Sequence, residues 1–455
     1  MYDVIVVGAR CAGSPTAMLL ARRGYRVLLL DRATFPSDRF ISTRLIHPPG
    51  IACLKRWGLL DDVRRSGCPA VGTYELHVGP VRVSSKPPAV DGEAAGYSPS
   101  RKVLDQLLVE AAVKAGAELR EGVSVQGLLA DDEGVVGVTG QTSGRARVTE
   151  QARIVVGADG KFSKIADFVG APKHHVRPVQ SKSLWTYWDG VDLGGAAMAF
   201  RHDNTHAFSW PTHDGLSITG IAWPTRDFVA LDDEAADRTL LRTFDELAPA
   251  LAPQLHAGQR ARRWMIGSVP NFLRASHGPG WALVGDAGYT KDPITAAGIS
   301  DAFRSAELLA EAIDDGLSGR VAIPAALAGY EQRRDAMVLS HYAYTCDFAQ
   351  VNSYSRAEVE LIQAMSQSPR HGPRLAGLFA GIVPPEEFFS RQSIHELFDY
   401  MPPGVSWESR VVRWLVKGFP GRFDSSVQLA DRLIAKKMGE MGKFLLASHS
   451  ADNDR

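Results

Sequence analysis

Four kinds of signal are missing from this chain. It has no excess charge of either sign: 51 lysines and arginines stand against 51 aspartates and glutamates, a formal net charge of zero. Binding to nucleic acid through bulk electrostatics is thereby excluded. Cysteine is scarce, and Cys11, Cys53, Cys68 and Cys346 have neither a CxxC spacing nor a His-Cys cluster suited to zinc. They read as reduced, mostly buried thiols of an intracellular protein, and no metal site is expected. No window reaches the ~18 uninterrupted apolar residues of a membrane span. After Met1-Tyr2-Asp3 the chain enters a strand-like run instead of a charged and then apolar leader, so a cytoplasmic protein is expected. Internal repeats and low-complexity tracts are also absent, and 45% hydrophobic with 22% charged residues excludes a disordered, collagen-like or coiled-coil chain.

Length and glycine are present in quantity. The 455 residues, 43 of them glycine, amount to about three domains at ~150 residues each, enough for a sizeable core without disulfide or metal staples. Val4-Ile5-Val6-Val7 is a short, fully apolar run typical of a buried parallel strand. Gly8-Ala9-Arg10-Cys11-Ala12-Gly13 ends it, a helical pattern follows to Gly24, and Val27-Leu28-Leu29-Leu30 is a second buried strand closed by Asp31-Arg32. This is a βαβ unit. Residues 35–49 read as loop, 51–65 as a helix, 74–85 as a hairpin around Gly79-Pro80, and 101–116 as an amphipathic helix. Strands are expected at 124–129, 135–139 and 147–156. Between 183 and 223 the runs turn aromatic-rich and alternating, the pattern of an antiparallel meander. A buried strand at 281–284 and a helix at 299–313 follow. Beyond about 346 the text is helical, ending in an amphipathic helix at 425–447 with Leu429, Leu433, Ile434, Met441 and Leu445 on one side.

Three motifs carry chemistry. In a dinucleotide fingerprint the first glycine makes the tight turn, the second lets the backbone approach pyrophosphate, and the third lets helix pack on strand. Gly8 and Gly13 occupy the first and third positions; Arg10 occupies the second, where it either adds a cation or points into solvent. Asp31 is placed to accept hydrogen bonds from a ribose diol, and the helix starting near Gly13 aims its N–H groups at phosphate. The second motif, Gly157-Ala158-Asp159-Gly160 followed by Ser163, places a carboxylate and a flexible turn after a strand. The third, Gly285-Asp286-Ala287-Gly288, leads through Asp292-Pro293-Ile294-Thr295-Ala296-Ala297-Gly298-Ile299 into a helix. There a carboxylate can bind polyol hydroxyls and free N–H groups can meet an anion.

In this order the motifs resemble the FAD-dependent monooxygenases built like p-hydroxybenzoate hydroxylase, in the branch near flavin-dependent halogenases and geranylgeranyl reductases. The resemblance covers about residues 3–345. It implies an α/β chain, α+β overall: a Rossmann-like FAD-binding domain collected from 1–72, 97–175 and 265–345, an inserted antiparallel substrate sheet from 73–96 and 176–264, and a C-terminal helical region, 346–455. It further implies that Gly8, Arg10, Gly13, Asp31 and Arg32 serve the ADP half of FAD. Asp159 and Gly160 belong to a segment shared between FAD and NAD(P)H, and Gly285 and Asp286 face the ribityl or pyrophosphate portion. Pro293, Gly298 and Ile299 lie beside the flavin. Arg101 matches the family's arginine near the flavin, its bland alternative being a surface helix-start residue, and Arg44 sits where a basic contact is often found.

The departures concern the reaction more than the cofactor. The hydroxylases' His after the third motif is replaced by Gly288-Tyr289, only Pro293 and Gly298 of the GQGxN turn survive, and the halogenases' WxWxIP motif is absent. In the family NAD(P)H reduces FAD transiently, and O2 forms a C4a-hydroperoxyflavin that oxygenates an electron-rich substrate in a dry pocket. Trp185, Tyr187, Phe208, Trp210 and Trp223 are the candidate lining for such a pocket, or equally sheet core. His47, ahead of His202, His206 and His213, is the candidate base; Tyr289 is a candidate flavin-side contact that equally reads as core. The expected activity is an NAD(P)H-consuming monooxygenase of secondary metabolism acting on an aromatic or polyketide-like small molecule. A prenyl or alkene reductase, a halogenase and a noncatalytic flavoprotein are the alternatives.

Overall fold

The computed structural model describes residues 1–38, 42–406 and 409, and the helix expected at 425–447 lies outside them. The chain forms two compact units, the first made of Met1–Cys68, Pro99–Val179 and Val269–Leu339. Its centre is a parallel sheet in the order Trp281–Leu283, Arg147–Gly157, Tyr2–Val7, Val27–Leu30, Glu118–Arg120. Val4, Ile5, Val6, Leu28, Leu29 and Leu30 are almost wholly buried, as expected for strands covered on both faces. The long strand Arg147–Gly157 has two partners in succession: its first half pairs antiparallel with Gly134–Thr142, and its last residues run parallel between Tyr2–Val7 and Trp281–Leu283.

Register then decides where the motifs go. Leu30, Val7, Gly157 and Leu283 stand side by side across the sheet. All three motif turns, and Asp31, therefore leave from one carboxyl edge. The edge is knit by backbone bonds from Gly8 N to Leu30 O (2.7 Å), Ala158 N to Val7 O (2.8 Å) and Val284 N to Gly157 O (2.9 Å). The helix Ile323–Phe348 braces it from behind. Tyr330 donates to Leu283 O (2.9 Å), and the buried Arg334 donates to Gly288 O (3.0 Å) and Arg274 O (2.9 Å). One expected helix is two: Pro48–Trp57 and Leu60–Arg65 are separated by Gly58, which takes a left-handed conformation (φ 77°) and returns its N–H to Leu54 O and Lys55 O. That is the usual glycine helix stop.

The second unit comprises Pro69–Ser98, Gln180–Ser268 and the chain from Ser340 onward. The described part of the C-terminal helical region thus clusters with the sheet rather than standing apart. The sheet is not the sequential meander expected: Ser181–Asp189 pairs with Ser217–Pro224, followed by Thr205–Pro211, Ala196–His202, a parallel Thr73–Val78, and Val81–Ser85. Gly220 permits this order. A Cβ there would fall 2.6 Å from Trp185 Cβ and 2.7 Å from Phe208 Cζ, so only glycine fits between the two aromatics on neighbouring strands. One face packs Trp188, Phe200, Ala207 and Ile221 against Leu240, Phe244, Leu251 and Leu255.

The tightest contact in the first unit is at Gly13, where a Cβ would lie 1.7 Å from Gly8 O. Gly13→Ala is expected to lower unfolding free energy by about 3 kcal/mol or more, since the clash is with backbone that cannot yield. Gly329→Ala, inside the helix Ile323–Phe348 with nothing within 4 Å, is expected to raise it by about 0.5–1 kcal/mol. Denaturant titrations of both variants check the pair.

Candidate functional site

The three motifs meet at the sheet's carboxyl edge. Gly8 (φ 107°) leaves its strand so closely against the second motif that a Cβ would stand 2.4 Å from Ala158 O; at Gly285 (φ 60°) a Cβ would stand 2.7 Å from Ala12 Cβ. Neither position admits a side chain. The helix Gly13–Ala21 has no side-chain cap and no acidic residue in its first turn; Ser14 N donates to Arg10 O (3.0 Å) and Pro15 carries no N–H, so the Gly13 amide is the first-turn donor offered to an anion. Asp31 closes the second strand, accepting from Ala9 N and Ala33 N (both 2.8 Å). It thus fixes the fingerprint turn; Arg32 beside it is exposed.

Arg101 is not a surface residue. It is 9% exposed and donates from Nε and Nη2 to Asp105 (2.7–3.0 Å), a carboxylate buried to 0%. Arg10 does not point into solvent either: it pairs with the same Asp105 and donates to Ser37 Oγ (2.8 Å). Arg44 is buried with a left-handed backbone (φ 64°) and paired with Asp38 (3.1 Å).

Asp286 has an exposed side chain, yet protein crowds around it. Burial pushes its carboxyl up to about 6, with Lys161 opposing and Asp301 adding to the rise. A carboxylate set in a crowded recess with an open face is suited to polyol hydroxyls. Downstream, Asp292 N donates to Asn271 Oδ1 (2.6 Å), Asp292 caps the turn Pro293–Thr295, and the helix Gly298–Leu317 begins with no side-chain cap. Gly298 is exposed with open space around it, and Ile299 is half-buried.

Several candidate residues have structural partners in the first unit. Asp159 accepts from Ser163 Oγ (2.5 Å), Lys164 N (2.7 Å) and Ile165 N (3.2 Å), the task of a helix-start carboxylate, while Gly160 (φ 85°) supplies the turn in open space. His47 is held inside the protein by hydrogen bonds. It is 2% exposed, its N–H donates to Ser300 Oγ, and Nε2 lies 2.9 Å from Thr295 O. A carbonyl there requires Nε2–H, and burial lowers the imidazole to about 4. Tyr289 is buried and donates to Asp301 Oδ2 (3.2 Å), which also holds Lys291 (2.8 Å). Of the aromatic candidates, Trp185, Tyr187, Phe208 and Trp210 share one face of the second unit's sheet by strand alternation. Trp223 lies on the other, packed against the helix-side core.

Sequence reasoning missed Asp105, Lys291, Asp301 and Arg334. Asp105 had a signal, since it falls four residues after Arg101 on a predicted helix. The other three act through tertiary contacts with no local signature.

His47 makes stability depend on pH. Its folded value lies below its unfolded one, so its contribution is complete above about 6.5 and disappears as pH falls toward about 4. The wild type should lose up to about 3 kcal/mol over that window through this residue. His47→Gln should flatten that part of the profile in urea titrations between pH 4 and 7.

The donor set fits FAD: an uncapped helix start with glycine-only close approaches, a diol-facing carboxylate, buried arginine, and a carboxylate for ribityl hydroxyls. Comparison with known proteins agrees. The chain is 27% identical to a digeranylgeranylglycerophospholipid reductase of Methanosarcina acetivorans over 348 residues, 73% of this chain and 80% of that one. It is 25% identical to 6-methylpretetramide 4-monooxygenase of Streptomyces rimosus over 326 residues, 70% and 76% of the two chains. The fold matches the myxobacterial chondrochloren halogenase CndH with a TM-score of 0.69 at 22% identity, covering 84% of this chain and 99% of that one. The model of the family described as FAD binding domain matches residues 1–342, so the chain belongs to that family and is an FAD-dependent oxidoreductase.

Proposed function

We propose that the protein is an NAD(P)H-consuming monooxygenase that hydroxylates or oxidises an oxygen-bearing aromatic or polyketide-like small molecule. The observation that carries this reading is the aromatic face of the second unit. Trp185, Tyr187, Phe208 and Trp210 are each at most 7% exposed there, with Phe208 and Trp210 stacked at 4.9 Å. Two buried polar atoms on that face, Trp185 Nε1 and His206 Nδ1, have no hydrogen-bond partner among the described residues. Burial, and then the neighbouring Arg201 cation, keep His206 neutral. Leaving such a group unpaired costs about 1–3 kcal/mol. An aromatic ligand carrying hydroxyl or carbonyl groups relieves that cost while its rings stack on the aromatics; a bare hydrocarbon chain does not.

When bound, the flavin supplies two-electron transfer from NAD(P)H and the reaction with O2. The chain's own part is to hold it. The helix start at Gly13 and Arg101 would hold the pyrophosphate, Asp31 the ribose, Asp286 the ribityl hydroxyls, and the amides of Gly298 and Ile299 the ring's carbonyl edge. Asp286, with its raised carboxyl, is suited to donate as well as accept a hydrogen bond near pH 6.

A second reading has its own support: the 27% identity to a reductase whose name specifies a geranylgeranyl lipid. Alkene reduction would use the same cofactor without oxygen. The FAD-loaded protein separates the two. Under the first reading, an oxygenated polycyclic aromatic stimulates NADPH oxidation with matching O2 uptake, and Trp185→Phe raises the KM for it about tenfold, equivalent to ~1.4 kcal/mol. Anaerobic saturation of a geranylgeranyl lipid, without O2 uptake by any aromatic, would overturn the first reading in favour of the second.

A further inference from the structure

The second position of a phosphate-binding turn is normally glycine, because the backbone there approaches pyrophosphate most closely. Arg10 has no left-handed φ, so its backbone conformation does not demand glycine. The difficulty is a long cationic side chain beside the path of the phosphates. Its course is fixed by three contacts in the first unit: an ion pair with Asp105, a hydrogen bond from Nη2 to Ser37 Oγ (2.8 Å), and the guanidinium lying over the Phe35 ring at 5.3 Å.

Asp105 also determines Arg101. The carboxylate, 0% exposed, takes both Nε and Nη2 of Arg101. Nη1 of Arg101 has no hydrogen-bond partner among the described residues, although the residue is nine-tenths buried. Cys11, inside the same turn, lies 3.7 Å from Asp105, and burial pushes its thiol up to about 12, so it stays neutral. Two guanidiniums share the one carboxylate they contact, Arg10 partly buried and Arg101 buried, while Asp286 attracts Arg101 from further off. Burying charge this way is costly unless a further anion completes the cluster.

We propose that Asp105 is a positioning residue for the dinucleotide pyrophosphate. It draws Arg10 aside from the backbone approach that the missing glycine would otherwise provide, and it turns Arg101 so that Nη1 is offered to a phosphate oxygen. The inference rests on the FAD assignment.

The test is a double-mutant cycle on apoprotein, read by calorimetric titration with FAD, ADP and adenosine. Asp105→Asn should bind FAD and ADP at least about tenfold more weakly, with adenosine unchanged. Arg10→Gly supplies the second single variant of the cycle, and Arg10→Gly combined with Asp105→Asn should recover part of the loss seen in Asp105→Asn alone, because no arginine remains to be drawn aside. Arg101→Lys keeps the charge beside Asp105 but lacks the fork. It should lose FAD and ADP affinity about tenfold, and it keeps the proposal testable if Asp105→Asn does not fold. Equal losses for ADP and adenosine, strictly additive effects in the cycle, or unchanged FAD affinity in Asp105→Asn and Arg101→Lys would each overturn the proposal. Wild-type apoprotein that takes up no FAD would overturn the cofactor assignment along with it.

Discussion

The site depends on backbone meeting backbone at one edge of a parallel sheet. Gly8 turns against Ala158 O, and Gly13 crosses Gly8 O at a distance where a single methyl group would not fit. Because Leu30, Val7, Gly157 and Leu283 share one row, each strand ends at the same height and hands its turn to the same place. Register, set by buried apolar runs, converts three stretches of sequence more than a hundred residues apart into one surface of amides and carboxylates. The glycines make that surface thin enough for a phosphate to reach.

Charge is the second constraint. The chain is neutral overall, yet the site is a dense alternation of paired ions: Arg10 and Arg101 on Asp105, Arg44 on Asp38, Lys291 on Asp301. Pairing holds these long side chains in fixed geometry and limits the cost of burying them. Asp286 has no counterion within hydrogen-bonding distance among the described residues, and burial raises its carboxyl. Its exposed side chain sets it apart from the buried carboxylate of Asp105 and from Asp159, which is occupied by the donors of a helix start.

The βαβ unit, the motif turns and the hairpin at Thr73–Val78 and Val81–Ser85 were legible because each is written in local pattern: apolar runs of strand length, glycine at forced turns, alternation around a tight loop. Arg101 was legible as a position but not as a buried residue, since its burial comes from Asp105 one turn further along the helix. The strand order of the second unit was hidden, because adjacency in sequence is only a default for adjacency in a sheet, and the close fit of Gly220 between Trp185 and Phe208 is a tertiary contact with no local signature. Trp223 shows the complementary failure. Its residue type matched the aromatic group, but strand parity sends it to the opposite face.

The turn Pro293–Thr295 is where the chain departs most from the hydroxylase pattern, and its compensations are tertiary. Ala296 replaces a glycine and takes a left-handed conformation, φ 52°, at a cost of roughly 1–2 kcal/mol for a residue with a Cβ. Its N–H returns to Pro293 O (2.8 Å), the turn is held from one side by Asn271 through Asp292, and from the other by His47 on Thr295 O. Ser300, in the first turn of the following helix, accepts the His47 N–H. The histidine that a reading by residue type offers as a base is the strut that keeps a strained loop in place. Its neutrality is a condition of that role, because a protonated ring would be a second buried cation close to Lys291. The ring and backbone of His47 thus tie Thr295, at the end of the turn, and Ser300, in the first turn of the helix, to one buried residue.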